Sequence, residues 1–267
     1  MSLGEHIHEL RNRIVVSAIA IVMASVVAFI FRQDVLHFLT KPYCDQPAAQ
    51  EFSRNGKCTL IVSGVLDAFT LSLKISLNIG IIAAAPVWLF QVWRFITPGL
   101  RNKERTWVVT FVLSSTLLFL AGCAVAYLTL PKGLQFLLSF GGDSFTPLIQ
   151  ATKYISFLLA MMLVFGIAFE FPLLVVLLNL VGVASAKRLQ GWRRAEIFGV
   201  FVFAAVATPS QDPFTMTALA VPMCLMYEGA VVIARIHDKR IGRGVSDPDL
   251  VGLSDDVASP LQPATPL

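Results

Sequence analysis

Glu170 is the only charge in an apolar run from Tyr154 to Leu180. A run of that length crosses a bilayer, which takes about 20 apolar residues. A carboxylate deep in a spanning helix costs roughly 2.5–3.5 kcal/mol on insertion scales. Two readings follow. Glu170 is a ligand or proton site, or it is a protonated acid bonded to a neighbouring helix or facing a water-filled hollow. Pro172 lies two residues on and Gly166 four residues before. Proline removes a backbone hydrogen bond one turn earlier, so a bend and a hydrated cavity are expected near the acid.

A few other polar groups interrupt apolar runs. Lys74 and Gln91 lie within the second run, and Glu228 lies towards the end of the last one. For Glu228, snorkelling to the interface is the simplest account. Two more acids lie outside the runs. Glu9 belongs to Glu5-His6-Ile7-His8-Glu9-Leu10-Arg11-Asn12-Arg13, where Ile7, Leu10 and Ile14 recur at helical spacing. His6 and His8 are two residues apart and face different sides of a helix, so no metal site is expected there. Glu104 stands among Arg101, Lys103 and Arg105. It either pairs with those bases locally or joins Glu9 on one membrane face. In the second case the two carboxylates suit a bidentate cation such as an arginine side chain.

These groups need a frame to hold them. The 267-residue chain is 56% hydrophobic and 14% charged, against about 25% charge in a soluble domain. That balance specifies an all-α polytopic membrane protein, because barrel strands would give short alternating segments instead. Six spans are expected: about 14–31, 68–93, 107–130, 154–180, a short fifth at 197–207, and 214–236. The last two form a tight hairpin around Thr208-Pro209-Ser210-Gln211-Asp212-Pro213. Residues 63–71 are read as a short helix leading into the second span. Residues 1–13 are an amphipathic lead-in, 14–236 the membrane domain, and 237–267 a disordered tail. No cleavable signal peptide is expected.

Basic residues cluster at Arg11 and Arg13, Arg94 to Arg105, Lys187 to Arg194, and Arg235 to Arg243. The bias places these segments, and both termini, in the cytoplasm. Cys44 and Cys58 then fall in the outer segment, where they form a disulfide or remain two free thiols. Cys123 and Cys224 read as small buried apolar residues. The net charge of +4 carries topology and no nucleic-acid affinity. No phosphate-binding loop, zinc helix or nucleophile elbow is present, so neither catalysis nor a cofactor is expected.

Taken together, the motifs resemble the TatC family, the receptor subunit of the twin-arginine protein translocase. They are Glu9-Leu10-Arg11-x-Arg13, Lys41-Pro42, Pro86, and Gln91-Val92-Trp93-x-Phe95-Ile96-x-Pro98-Gly99-Leu100 leading to Lys103-Glu104-Arg105. Phe165-Gly166-x-x-Phe169-Glu170-x-Pro172, Thr208-Pro209 with Asp212, Pro222-Met223 and Tyr227-Glu228 follow in order. The resemblance implies a concave, glove-like bundle of six transmembrane helices with short fifth and sixth helices, in the bacterial cytoplasmic membrane. It implies a receptor for the twin-arginine signal peptides of folded cargo, with Glu9 and Glu104 as the acidic patch and Arg11 and Phe95 in support. Glu170 and Gln91 would line an intramembrane polar groove. Thr208, Pro209 and Asp212 would form the outer cap where single-span TatA- and TatB-type partners dock on the fifth span. Self-association in a larger receptor complex and a drive from the proton-motive force are also implied. The turn Thr208-Pro209-Ser210-Gln211-Asp212 is one residue longer than the common family form, and Met216 replaces a frequent Gln. A reading of a different class is a proton-coupled small-molecule transporter centred on Glu170.

Overall fold

The computed structural model describes residues 3–44, 64–96, 105–139, 150–209 and 212–241. Every element in them is helical: α1 (Leu3–Ile30), α2 (Arg32–Cys44), α3 (Asp67–Ala83), α4 (Ala85–Ile96), α5 (Arg105–Ser139), α6 (Ala151–Ala168), α7 (Phe171–Leu180), α8 (Ala186–Gly191), α9 (Arg193–Ala207) and α10 (Pro213–Arg240). The lead-in and the first span are one continuous helix, α1. No residue between Glu9 and Ile14 is a helix breaker.

Four spans are long and apolar enough to cross a membrane: His6–Ile30, Val109–Phe136, Ala151–Leu180 and Pro213–Arg240. The expected second span is a bent pair, with α3 and α4 meeting at 55°. Pro86 lies at the start of α4 and has no N–H to donate back into α3. The chain therefore turns at Ala84, whose own N–H still bonds the Gly80 carbonyl at 2.9 Å. The short lead-in helix expected at 63–71 is not separate. Gly64 to Leu66 form a turn, closed by a 2.8 Å bond from the Gly64 N–H to the Asp67 carboxylate, and α3 starts at Asp67.

Two expected boundaries are corrected. The fifth helix is short, with 15 residues in α9, but the sixth is not, because α10 has 28. The breaker-rich turn that suggested a shallow hairpin starts α10 at once: the Asp212 carboxylate accepts the Thr215 N–H at 2.8 Å, and Pro213 occupies the first turn. At the other end α10 continues past the expected boundary at 237 to Arg240. Asp238 is buried there and accepts the Ala186 N–H at 2.7 Å and an Asn179 amide hydrogen at 3.0 Å. Residues 242–267, the rest of the expected tail, lie outside the described residues.

Packing follows the small residues. α1 lies along α3 and α4, α5 along α6, and α10 against α7 and α9. A Cβ at Gly122 on α5 would come within 2.5 Å of the Phe165 carbonyl oxygen, and one at Gly166 on α6 within 2.7 Å of the Phe119 ring. Glycine on both helices lets these backbones approach, as membrane helix pairs require. The buried cluster around Trp93, Phe119, Leu158, Phe165 and Phe169 forms the centre. Ile14, Ile19, Val22, Val26 and Ile30 of α1 face outwards, as expected where lipid replaces water.

Candidate functional site

At the α1 end of the bundle, the Glu9 carboxylate pairs with the Arg13 guanidinium one turn on. Arg13 also donates to the Gln91 carbonyl oxygen at 3.3 Å and lies 6.0 Å from the Phe95 ring centre. His6 stacks on the Phe95 ring, with centroids 4.5 Å apart. α1 and α4 therefore converge on a small station in which a guanidinium meets a carboxylate, a carbonyl and an aromatic face. Glu9 remains one-third exposed, whereas Arg13 is largely covered. Arg11 is exposed and is 3.3 Å from His8, away from the station. Glu104 lies outside the described residues. Arg13 and His6 are contributors that the sequence reading placed nearby without assigning.

The second cluster lies within the membrane. α6 ends at Ala168 and α7 starts at Phe171, with Glu170 in the break and Pro172 just inside α7. The interruption expected from Pro172 is present, although the two pieces still run on as one span. Ser115 of α5 donates its hydroxyl hydrogen to Glu170 Oε2 at 2.5 Å, and Trp93 of α4 donates its indole N–H to Ser115 Oγ at 2.8 Å. Glu170 Oε1 is buried with no hydrogen-bond partner among the described residues. A single neutral donor, the Ser115 hydroxyl, thus reaches the carboxylate, and Trp93 in turn donates to that hydroxyl. Ser115 and Trp93 are fully buried. An apolar hollow of about 590 Å³ lies alongside, between α5, α7 and α10, lined by Phe111, Ser114, Pro172, Leu173 and Met226 among others. Gln91 is half-buried, and its backbone carbonyl serves the Arg13 station.

The remaining expected site residues have plain structural partners. Thr208 bonds the Ala204 carbonyl at 2.8 Å, closing α9, and Asp212 caps α10 through Thr215. Both are buried, while Pro209 is exposed and Met216 packs on the core. The outward face of α9 carries Phe198, Val202 and Val206. Cys44 is disulfide-bonded and Cys123 and Cys224 are free; Cys58 lies outside the described residues. Glu228 does not simply snorkel, because its carboxylate pairs with Arg193 of α9 at 2.5 Å.

A family model described as Sec-independent protein translocase protein (TatC) matches residues 5–222. The chain belongs to the TatC family. A TatC of Frankia casuarinae is 50% identical over 265 residues, covering 98% of this chain and 73% of that one. A TatC of Aquifex aeolicus is 35% identical over 243 residues, covering 90% and 97%. Among solved structures, a crystal structure of the twin-arginine translocase receptor TatC in DDM superposes with a TM-score of 0.72 at 35% identity, covering 86% of this chain and 99% of that one. The chain is therefore a multi-pass membrane subunit of the twin-arginine protein translocase, and both clusters belong to a TatC scaffold.

Proposed function

We propose that this TatC is the signal-peptide receptor of the translocase and that Glu9 and Glu104 form the acidic patch receiving the paired arginines. The observation that carries the reading is the Arg13 station. A guanidinium already rests there between the Glu9 carboxylate, the Gln91 carbonyl and the Phe95 ring. The chemistry that holds an internal arginine also suits an incoming one, and Glu104 adds the second carboxylate a pair needs. Arg11 and Phe95 support the patch. Glu170 and Gln91 then line the groove that a signal peptide or partner helix lies against after the first contact.

The wider setting has six spans, counting the bent pair and short α9, with both termini cytoplasmic in the cytoplasmic membrane. Residues 1–13 form the recognition lead-in, 14–236 the membrane domain, and 237–267 the tail, less the last turn of α10. TatA- and TatB-type partners dock along α9 near Thr208, Pro209 and Asp212. The receptor self-associates in a larger complex, transport draws on the proton-motive force, and the chain itself catalyses no reaction. Cys44 bonds to Cys58 in the outer segment. The test is binding of a twin-arginine peptide to the purified complex. Glu104→Ala and Glu104→Lys abolish it on this account, and unchanged binding refutes it.

A further inference from the structure

Lys74 takes part in neither cluster. It lies two turns inside α3, exposed, and is the only charged residue of that helix after Asp67. Its ammonium donates to Ser156 Oγ of α6 at 3.3 Å. No carboxylate pairs with it among the described residues. An ionisable side chain at membrane depth marks a site by default, and its partner has to be named.

The surroundings name one. Thr152 precedes Ser156 by one turn of α6 and so shares its face; its hydroxyl is buried without a partner. Lys153, exposed, follows Thr152 in the chain. The Lys74–Ser156 contact joins α3 and α6 near their starts, at the end that α2 also covers. There Tyr154 donates to the Leu39 carbonyl at 3.3 Å. The span Ala151–Leu180 has 30 residues. That is about 45 Å of helix against roughly 30 Å of hydrocarbon, so each end overshoots by about 7 Å. Ser156 is five residues from the start of this span, which puts it near the hydrocarbon edge. Helical side chains lean towards the N-terminus, and the lysine stem carries its ammonium the same way.

We propose that Lys74, Ser156 and Lys153 hold the phosphate of an anionic phospholipid at this end of the bundle. A phosphodiester presents two unesterified oxygens at this depth, and an ammonium with a neighbouring hydroxyl suits them. A carboxylate on a neighbouring protein helix is the competing occupant. The edge position favours lipid, because every surrounding lipid places its phosphate there.

The test uses the full chain, purified in mild detergent and titrated with phosphatidylglycerol or phosphatidylcholine, with bound lipid read by native mass spectrometry. Wild type retains phosphatidylglycerol preferentially. Lys74→Gln weakens that binding about fivefold, the factor for one basic residue near an anionic surface, while Lys74→Arg preserves it. Lys132→Gln, an exposed lysine on α5, leaves it unchanged. A photoreactive residue at position 74, in membranes, labels lipid. The proposal is overturned by equal lipid retention in wild type and Lys74→Gln, by equal retention of the two lipids, by loss in Lys132→Gln as large as in Lys74→Gln, or by labelling of a single-span protein in place of lipid. Lys74→Arg keeps the test decisive if Lys74→Gln fails to fold, because loss of phosphatidylglycerol in that variant also refutes it.

Discussion

Glu9 and Glu170 are both carboxylates on helices of one bundle, yet they are held in opposite ways. Glu9 is partly exposed and its partner is a full cation, Arg13, supported by a carbonyl and an aromatic ring. Glu170 lies within a span, and its partners are a serine hydroxyl and, through it, an indole N–H. One station is built around a guanidinium. Among the described residues, the other contains no cation among its hydrogen-bond partners and leaves an oxygen unpaired. The difference separates tasks. On the proposed function, recognition of charged arginines falls to the first, whose carboxylate is still partly open to solvent. The second suits a polar contact with something already in the membrane, because an unpaired acid there gains from any donor brought to it.

Several variants break or sharpen that contrast. The largest effect is expected from Glu9→Lys, which reverses the charge beside Arg13. Affinity for a twin-arginine peptide, measured by fluorescence anisotropy on the purified complex, falls roughly tenfold or more, since a charge-assisted contact becomes a repulsion. Next comes Ser115→Ala. It leaves the Trp93 N–H and both Glu170 oxygens unsatisfied in a buried site, a loss of about 1–3 kcal/mol. A lower thermal unfolding midpoint in detergent reports it, with peptide affinity nearly unchanged. Trp93→Phe keeps the ring packing on Phe111 but removes only the outer donor, so its destabilisation is smaller, about 1 kcal/mol. The smallest effect is expected from Arg193→Ala. The Arg193–Glu228 pair is more than a third exposed on both sides, and such pairs contribute about 0–1 kcal/mol. A midpoint shift from Arg193→Ala larger than that from Ser115→Ala would reverse the ranking of the two polar contacts.

The sequence made parts of both stations legible. Pro172 beside Glu170 announces a break in the helix, because a proline cannot complete the backbone ladder, and the break is there. Glu9 is legible as a candidate acid, but its pairing with Arg13 one turn on emerges only in the structure, although residues four apart share a helix face. Ser115 gave no such signal. It lies in Ser114-Ser115-Thr116, and hydroxyls in apolar helices commonly bond their own backbone, as Thr116 does to Val112 at 2.8 Å. Only the crossing of α4, α5 and α6 turns Ser115 into a bridge between Trp93 and Glu170. The extension of α10 past residue 237 likewise depends on the Asp238 contacts with Asn179 and Ala186. These are tertiary facts with weak local signatures.

The most direct test compares Glu170→Ala with Glu104→Ala in one peptide-binding assay on the purified complex, alongside crosslinking from positions 9, 104 and 170 to a twin-arginine signal peptide. First contact at the cytoplasmic surface predicts that Glu104→Ala abolishes binding while Glu170→Ala stays within about twofold of wild type, a difference of under ~0.5 kcal/mol. Loss of initial binding in Glu170→Ala as complete as in Glu104→Ala would contradict the division of labour between the two carboxylate stations.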